Sequence, residues 1–316
     1  MPDRTPKTRS QNGAVSRTAA ATASPAPGDG TRAAARLAVN KTYKLFIGGA
    51  FPRSESGRSY PVRSGGDLLA YAAQASRKDA RDAVRAARGA FGGWSGATAY
   101  NRGQVLYRVA ELMEGRAAQF AADVAAAERL RPGVAQAQVA AAIDRWVWYA
   151  GWPDKVAQVA GAVNPVAGPY VNFSSPEPTG VVAIIAPPAS SLLGLVSVLA
   201  PVIATGNVAV VVASRDRPLP AVTLTEVLAT SDVPAGVVNL LTGDPAELAP
   251  PLAGHMDVDA IDVSGAAAGD RAELGRLAAG NLKRVLDTED DWPASPGTRR
   301  LLAFLEIKTV WHPAGI

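Results

Sequence analysis

Residues 180–212 read GVVAIIAPPASSLLGLVSVLAPVIATGNVAVVV. Two runs within it, 181–185 and 207–212, are apolar or small at almost every position, so both faces of each must be buried. Between them, residues 192–204 are apolar and long enough to form a helix. A strand buried on both faces, a helix and a second such strand make a parallel crossover unit. The alternation continues downstream. Residues 220–229 read as a helix, 237–241 as a third strand, 247–253 as a short helix, 260–263 as a fourth strand and 268–279 as a last helix. The expectation is an α/β fold with a Rossmann-like, doubly wound parallel sheet.

Upstream, the period changes to that of helices. An opening strand at 43–49 closes on Gly48 and Gly49. Ser76 with Asp79 three residues later has the form of a capping box, and Ala80, Ala83, Val84, Ala87, Ala90 and Phe91 recur behind it at helical spacing. Gly92 and Gly93 are read as the stop. A second helix carries Val105, Leu106, Val109, Leu112 and Met113 on one face, and further helices are expected at about 117–130 and 134–149. Trp146, Trp148, Tyr149 and Trp152 form an aromatic knot that we read as core and not as a ligand cage. From 163 the chain becomes extended, with a strand at 170–173. No internal repeat is evident.

Composition narrows the function classes. The 316 residues carry a net charge of +4, and residues 1–40, with six basic and two acidic side chains, account for all of it. The rest is neutral, which argues against a nucleic-acid face. Residues 1–42, rich in Ala, Pro, Ser, Thr and Gly, are expected to be a disordered tail without a secretory apolar region. The longest apolar region, 181–212, is interrupted by Pro187, Pro188, Pro201 and Asn207, so no membrane span is expected, and a cytoplasmic protein is the plain reading. The chain has no cysteine, which excludes disulfides, thiolate metal sites and a cysteine nucleophile. His255 and His312, the only two histidines, stand far apart, so no metal site is expected.

The order of motifs resembles the aldehyde dehydrogenase family. Leu45-Phe46-Ile47-Gly48-Gly49 resembles that family's first strand, and Ala87 through Trp94, Arg102 and the helix at 106–113 resemble its early helices. Residues 145–152 (RWVWYAGW) are similar to the approach to its oligomerisation arm. Glu177-Pro178-Thr179-Gly180, Ala200-Pro201, Gly206-Asn207, Val233-Pro234-Ala235-Gly236 and Asn281-Leu282-Lys283-Arg284 then follow in the family's order. No one piece decides; collinearity over about 43–288 does. The resemblance implies an N-terminal and cofactor-binding domain at 43–288 with an oligomerisation arm at about 155–178. It further implies that a linker at 289–300 stands where the family has its catalytic domain, followed by a C-terminal oligomerisation strand at 301–316.

The resemblance also implies a chemistry: a thiolate attacks the aldehyde, hydride passes to NAD or NADP, and water hydrolyses the thioester. The thiolate is absent. The family's oxyanion-stabilising Asn falls at Ala189, and losing one such donor costs roughly 3–4 kcal/mol of transition-state stabilisation. Its general-base Glu falls at Thr288; Glu289 is one residue away, in an acidic run read as a solvated loop. The ribose-holding Lys and Glu correspond to Val212 and Arg215. At the pyrophosphate helix Ser264 and Gly265 remain, but Ala266 replaces the phosphate-holding Ser, so only weak nucleotide binding is expected there. No G-x-G-x-x-G or G-x-x-x-x-G-K run substitutes. Ser190 and Ser191 lack a nucleophile elbow and are expected to cap the following helix. Three functions stay open: a non-catalytic subunit partnering a full-length aldehyde dehydrogenase or its own copies, an NAD(P)-dependent aldehyde oxidoreductase, and a stand-alone nucleotide-binding module.

Overall fold

The computed structural model describes residues 39–314. The tail expected at 1–42 therefore lies, up to residue 38, outside the described residues. The opening segment is less regular than the strand expected at 43–49. β1 (Thr42–Tyr43) pairs with β3 (Asp67–Ala73), which pairs in turn with β2 (Ser59–Ser64), while Phe46 bridges to Leu240 of the main sheet. The β2–β3 hairpin, turned by Gly65 and Gly66 at positive φ, was not read from the sequence. Its first strand alternates, with Tyr60 and Val62 buried between exposed Ser59, Pro61 and Arg63, but the run is only six residues long and Pro61 interrupts it.

The capping box at Ser76 forms: its hydroxyl accepts the Asp79 amide while the Asp79 carboxylate accepts the Ser76 amide. It opens α1 (Arg77–Ser95), which runs past Gly92 and Gly93 to Gly96. Buried Trp94 explains the extra length, since its indole N–H donates to the Ile203 carbonyl and holds the last turn against the sheet layer. α2 (Ala99–Glu114), α3 (Ala117–Glu128) and α4 (Pro132–Ala150) follow. The aromatic knot is core, with Trp146 and Tyr149 buried and Trp148 edge-on to Tyr149 at 4.8 Å. After α5 (Val156–Ala160), β4 (Ala162–Asn164) and β5 (Tyr170–Pro178) form an antiparallel hairpin.

The main sheet comprises β6 (Val181–Ile185), β7 (Val208–Val212), β8 (Val238–Leu241), β9 (Ala260–Asp262) and β10 (Arg284–Leu286), all parallel, in the order β10-β9-β6-β7-β8. All residues of β6 and β7 are buried, as the apolar runs require. β10 was missed: an edge strand of three residues, two of them exposed, lacks that signature. α6 (Leu193–Ala204) and α7 (Leu219–Leu228) pack with α2, α3 and α4. α8 (Pro245–Ala253) packs with α1 and with α9 (Ala268–Ala278). The strand order reverses between β8 and β9, and a right-handed crossover then places α8 on the opposite face from α6 and α7. No helix among the described residues is long and apolar enough to cross a membrane.

The C-terminal segment returns to the body through α10 (Arg299–Ala303) and then β11 (Leu305–Pro313), which pairs antiparallel with β5 from Leu305↔Pro178 to Pro313↔Tyr170. The strand expected from 301 thus begins at 305, because buried Leu301 and Phe304 dock as the end of a short helix. Fully buried Asn207 joins this return to the sheet. Its carbonyl accepts the Gly180 amide at 2.8 Å and its amide donates to the Phe304 carbonyl at 2.8 Å. Asn207→Ala strands the buried Gly180 amide, while the Phe304 carbonyl keeps the Thr179 amide at 3.2 Å, an expected cost of about 1–3 kcal/mol in urea unfolding; a loss below 0.5 kcal/mol would show that water replaces the bond.

Candidate functional site

In an open parallel sheet, ligands bind outside the carboxyl ends of the strands where the winding direction reverses. Here that point lies between β6 and β9. One wall is the loop 186–192 leading into α6; the other is 263–267 leading into α9. The two walls touch. Gly265 lies so close to Ile185 and Ala186 that a Cβ there would collide with their carbonyl oxygens. Close backbone packing alone therefore demands glycine at 265.

On the α8–α9 side the crevice stays open as a cleft of about 370 Å³, floored by Ile185, Pro188 and Gly265 and flanked by Ala249, Ala266 and Leu274. Three carboxylates, Asp244, Asp270 and Glu273, lie at its rim. Asp244 is paired with Arg215 at 2.7 Å and Glu273 with Arg276. On the α6 side the crevice is filled. Arg300, reaching in from α10 with its side chain 8% exposed, donates to Asp262 at 2.5 Å, Asp290 at 2.6 Å, Thr288 at 2.8 Å and Ser264 at 3.0 Å. Asp262, fully buried at the end of β9, also accepts from the Ser264 hydroxyl and amide. The Thr288 hydroxyl donates to Asp290 at 2.7 Å. Burial alone would raise the Asp290 carboxyl, but the hydrogen bonds from Thr288 and Arg300 and the Arg300 charge outweigh it and hold the group below its usual range.

Each position singled out from the sequence now has a place. Ala189 is exposed on the loop after β6, its carbonyl accepting from Arg217 at 2.8 Å. Ser190 supplies a cap, accepting the Gly194 amide at 2.8 Å, whereas Ser191 binds the Glu128 carboxylate at 2.6 Å. Thr288 is buried in the Arg300 cluster with Ser264, while Glu289 is exposed. The acidic run expected to be a solvated loop is thus divided: Glu289 and Asp291 face solvent, but Asp290 is drawn in by Arg300. Val212 is buried and apolar, and Arg215 is committed to Asp244. His255 and His312 lie apart, the latter stacked on Phe173, and no group of potential metal ligands occurs among the described residues.

These residues do not fit a dinucleotide. The α9 N-terminus offers Ala266 and Ala267 without a hydroxyl, and Asp270 in its first turn opposes a phosphate. Val212 and Arg215 leave the ribose unheld, and Arg300 occupies the path beyond Ser264. Sequence reasoning missed Arg300 and Asp262. The signal was there in part: Asp262 is a lone acid at the end of an apolar strand, and a buried carboxylate requires a cation.

Because breaking such a pair strands the other charge, Arg300→Met is expected to cost about 3–5 kcal/mol in chemical denaturation, and adding Asp262→Asn to recover much of it. Wild-type-like stability of the single variant would mean that Asp262 does not depend on the Arg300 charge. The depressed carboxyl of Asp290 adds stability that is fully present above the unfolded Asp value and is lost as pH falls through its folded value. Acid destabilisation below about pH 4 is therefore expected to be shallower in Asp290→Asn.

Comparison with known proteins agrees with this architecture. The aldehyde dehydrogenase family matches residues 53–287. The chain is 34% identical to chicken retinal dehydrogenase 2 over 260 residues, 78% of this chain and 48% of that protein. It is 32% identical to mouse cytosolic 10-formyltetrahydrofolate dehydrogenase over 267 residues, 80% of this chain and 29% of that protein. The solved NAD+ complex of an aldehyde dehydrogenase from Bacillus cereus superposes with a TM-score of 0.71 at 27% identity, over 78% of this chain and 50% of that one. The chain thus spans about half the length, or less, of the relatives it matches. With this sheet order, these walls and this match over most of its length, the chain belongs to the aldehyde dehydrogenase family.

Proposed function

We propose that this chain is a non-catalytic member of its family that works by association, as a partner or regulatory subunit of a full-length aldehyde dehydrogenase or as a homo-oligomer. The observation that carries the reading is a contrast between two surfaces. The crevice where the family's chemistry would occur holds no thiol, presents Ala189 and Thr288 at the donor and base positions, and is filled on its α6 side by Arg300. The β4–β5–β11 sheet is intact and outward-facing. β11 lies at its edge, with nine residues paired on one side only, and Ile307 and Trp311 are both more than half exposed. Such an edge is a template for a further strand. Its charged residues are engaged within the chain, Glu306 with Arg284 at 2.5 Å and Lys308 with Glu177 at 3.2 Å. On this reading residues 289–300 join the cofactor-domain half to its arm strand, and the protein is cytoplasmic.

A second reading, a small nucleotide-binding module, is favoured by the open cleft beside Gly265. Calorimetry with adenosine, ATP, NAD and NADP at millimolar concentration tests it, and no heat from any of them ends it. Oxidation of an aldehyde with NAD(P) is the remaining alternative; formation of NADH by the purified protein, alone or mixed with a partner, would revive it.

The association reading is tested by affinity capture of the tagged protein from its host, with stoichiometry by native mass spectrometry. A full-length aldehyde dehydrogenase recovered in fixed ratio, or a discrete homo-oligomer, is expected; a monomer recovered alone would sink the proposal. Val310→Asp with Trp311→Asp is expected to weaken assembly at least tenfold, about 1.4 kcal/mol, while the thermal midpoint of the body stays near wild type. Undiminished assembly would move the contact away from β11.

A further inference from the structure

The α6 side of the crevice is closed by the chain's own segment 287–304, and that segment is held at four points. Arg300 binds the end of β9 and the loop after it through Asp262 and Ser264. Arg145, buried on α4, donates to the Trp292 and Ala294 carbonyls at 2.9 Å each, and to the Ser197 hydroxyl of α6 at 2.8 Å. Arg271 of α9 pairs with Asp287 at 2.7 Å. Phe304, at the far end, is bound through its carbonyl by Asn207. Trp292 lies against the Arg300 guanidinium at 5.2 Å. The space left beneath, bounded by Arg145, Tyr149, Ser197 and Arg300, is about 70 Å³, room for about two waters.

We propose that residues 287–304 form a latched intramolecular plug, with Arg300 as the latch, that shuts the switch-point crevice to any ligand lying across it. The polar character of its attachments makes it separable from the body. Its apolar attachment to the core of β6, β7 and α6 is confined to Trp292 and to Leu301 to Phe304 at its end, and residues 293–295 and 297 face solvent. Loss of the Arg300 charge leaves buried Asp262 unpaired, and swinging the segment out to hydrate that carboxylate relieves the cost. The latch therefore acts as a positioning residue for the plug.

The absence of cysteine supplies a clean reporter. Ser197, 1% exposed beneath the plug, is not an Arg300 partner. In a Ser197→Cys variant of the full chain, the single thiol is expected to react with a small methanethiosulfonate reagent far more slowly than a free cysteine peptide. Adding Arg300→Met is expected to speed labelling by about tenfold or more, while amides of β6 and β7 keep their hydrogen-exchange protection. A thiol that labels at the free rate with Arg300 in place overturns the proposal, as does an unchanged rate in the Arg300→Met background. Should Arg300→Met fail to fold, Asp262→Asn removes the body charge that holds Arg300 and leaves no unpaired buried carboxylate, and it decides the matter. A severalfold increase in labelling supports the latch, and no change overturns it.

Discussion

A fully buried carboxylate at the end of β9 must be met by a cation, and Arg300 meets it from nearly forty residues further along the chain. That single pairing determines where the C-terminal segment goes. With Arg300 held at the sheet's carboxyl edge, the short helix around it lies against α6, and Phe304 arrives at Asn207. From Phe304 the chain can only run back along β5, which sets the register from Leu305↔Pro178 onward. β11 is thus positioned by an ion pair in the crevice, although the two regions lie at opposite ends of the segment.

The parts of the fold legible in the sequence are those where burial is complete. β6 and β7 could be read because every residue is apolar and inside, and α1 because its capping box is local chemistry. Where an element is half-buried or depends on distant residues, the reading failed. β10 is an edge strand with little apolar signal, and in the β2–β3 hairpin a short alternating run is interrupted by Pro61. α1 outran its two glycines because Trp94 found the Ile203 carbonyl, a contact more than a hundred residues away. The candidate site divides in the same way. Ala189, Thr288 and Gly265 were singled out by resemblance to a family pattern. The Arg300 cluster was not, because no local spacing relates residue 262 to residue 300.

Gly265 also shows how a surviving motif residue can mislead. Its persistence beside a lost phosphate-binding hydroxyl suggests a relic of ligand binding. The geometry supplies another reason: no side chain fits between that position and the carbonyl ends of β6. The glycine is required for closing the two walls on each other whether or not a nucleotide ever enters. Ser264 has likewise been drawn into a structural role, as a donor to Asp262 and an acceptor from Arg300. Two residues that mark a cofactor loop in sequence here serve the packing of the loop itself.

The same economy bears on the partner reading. Polar groups in the crevice are answered from within the chain: Asp262 by Arg300, Asp290 by Arg300 and Thr288, and the Trp292 and Ala294 carbonyls by Arg145. The outer edge of β11 differs. Among the described residues its backbone groups are paired on the β5 side only, and Ile307 and Trp311 are more than half exposed. A long strand edge flanked by exposed apolar side chains is costly for a chain that remains alone, because it invites non-specific pairing. On the proposed association reading another polypeptide covers this edge, while the α6 side of the crevice is closed from within the chain.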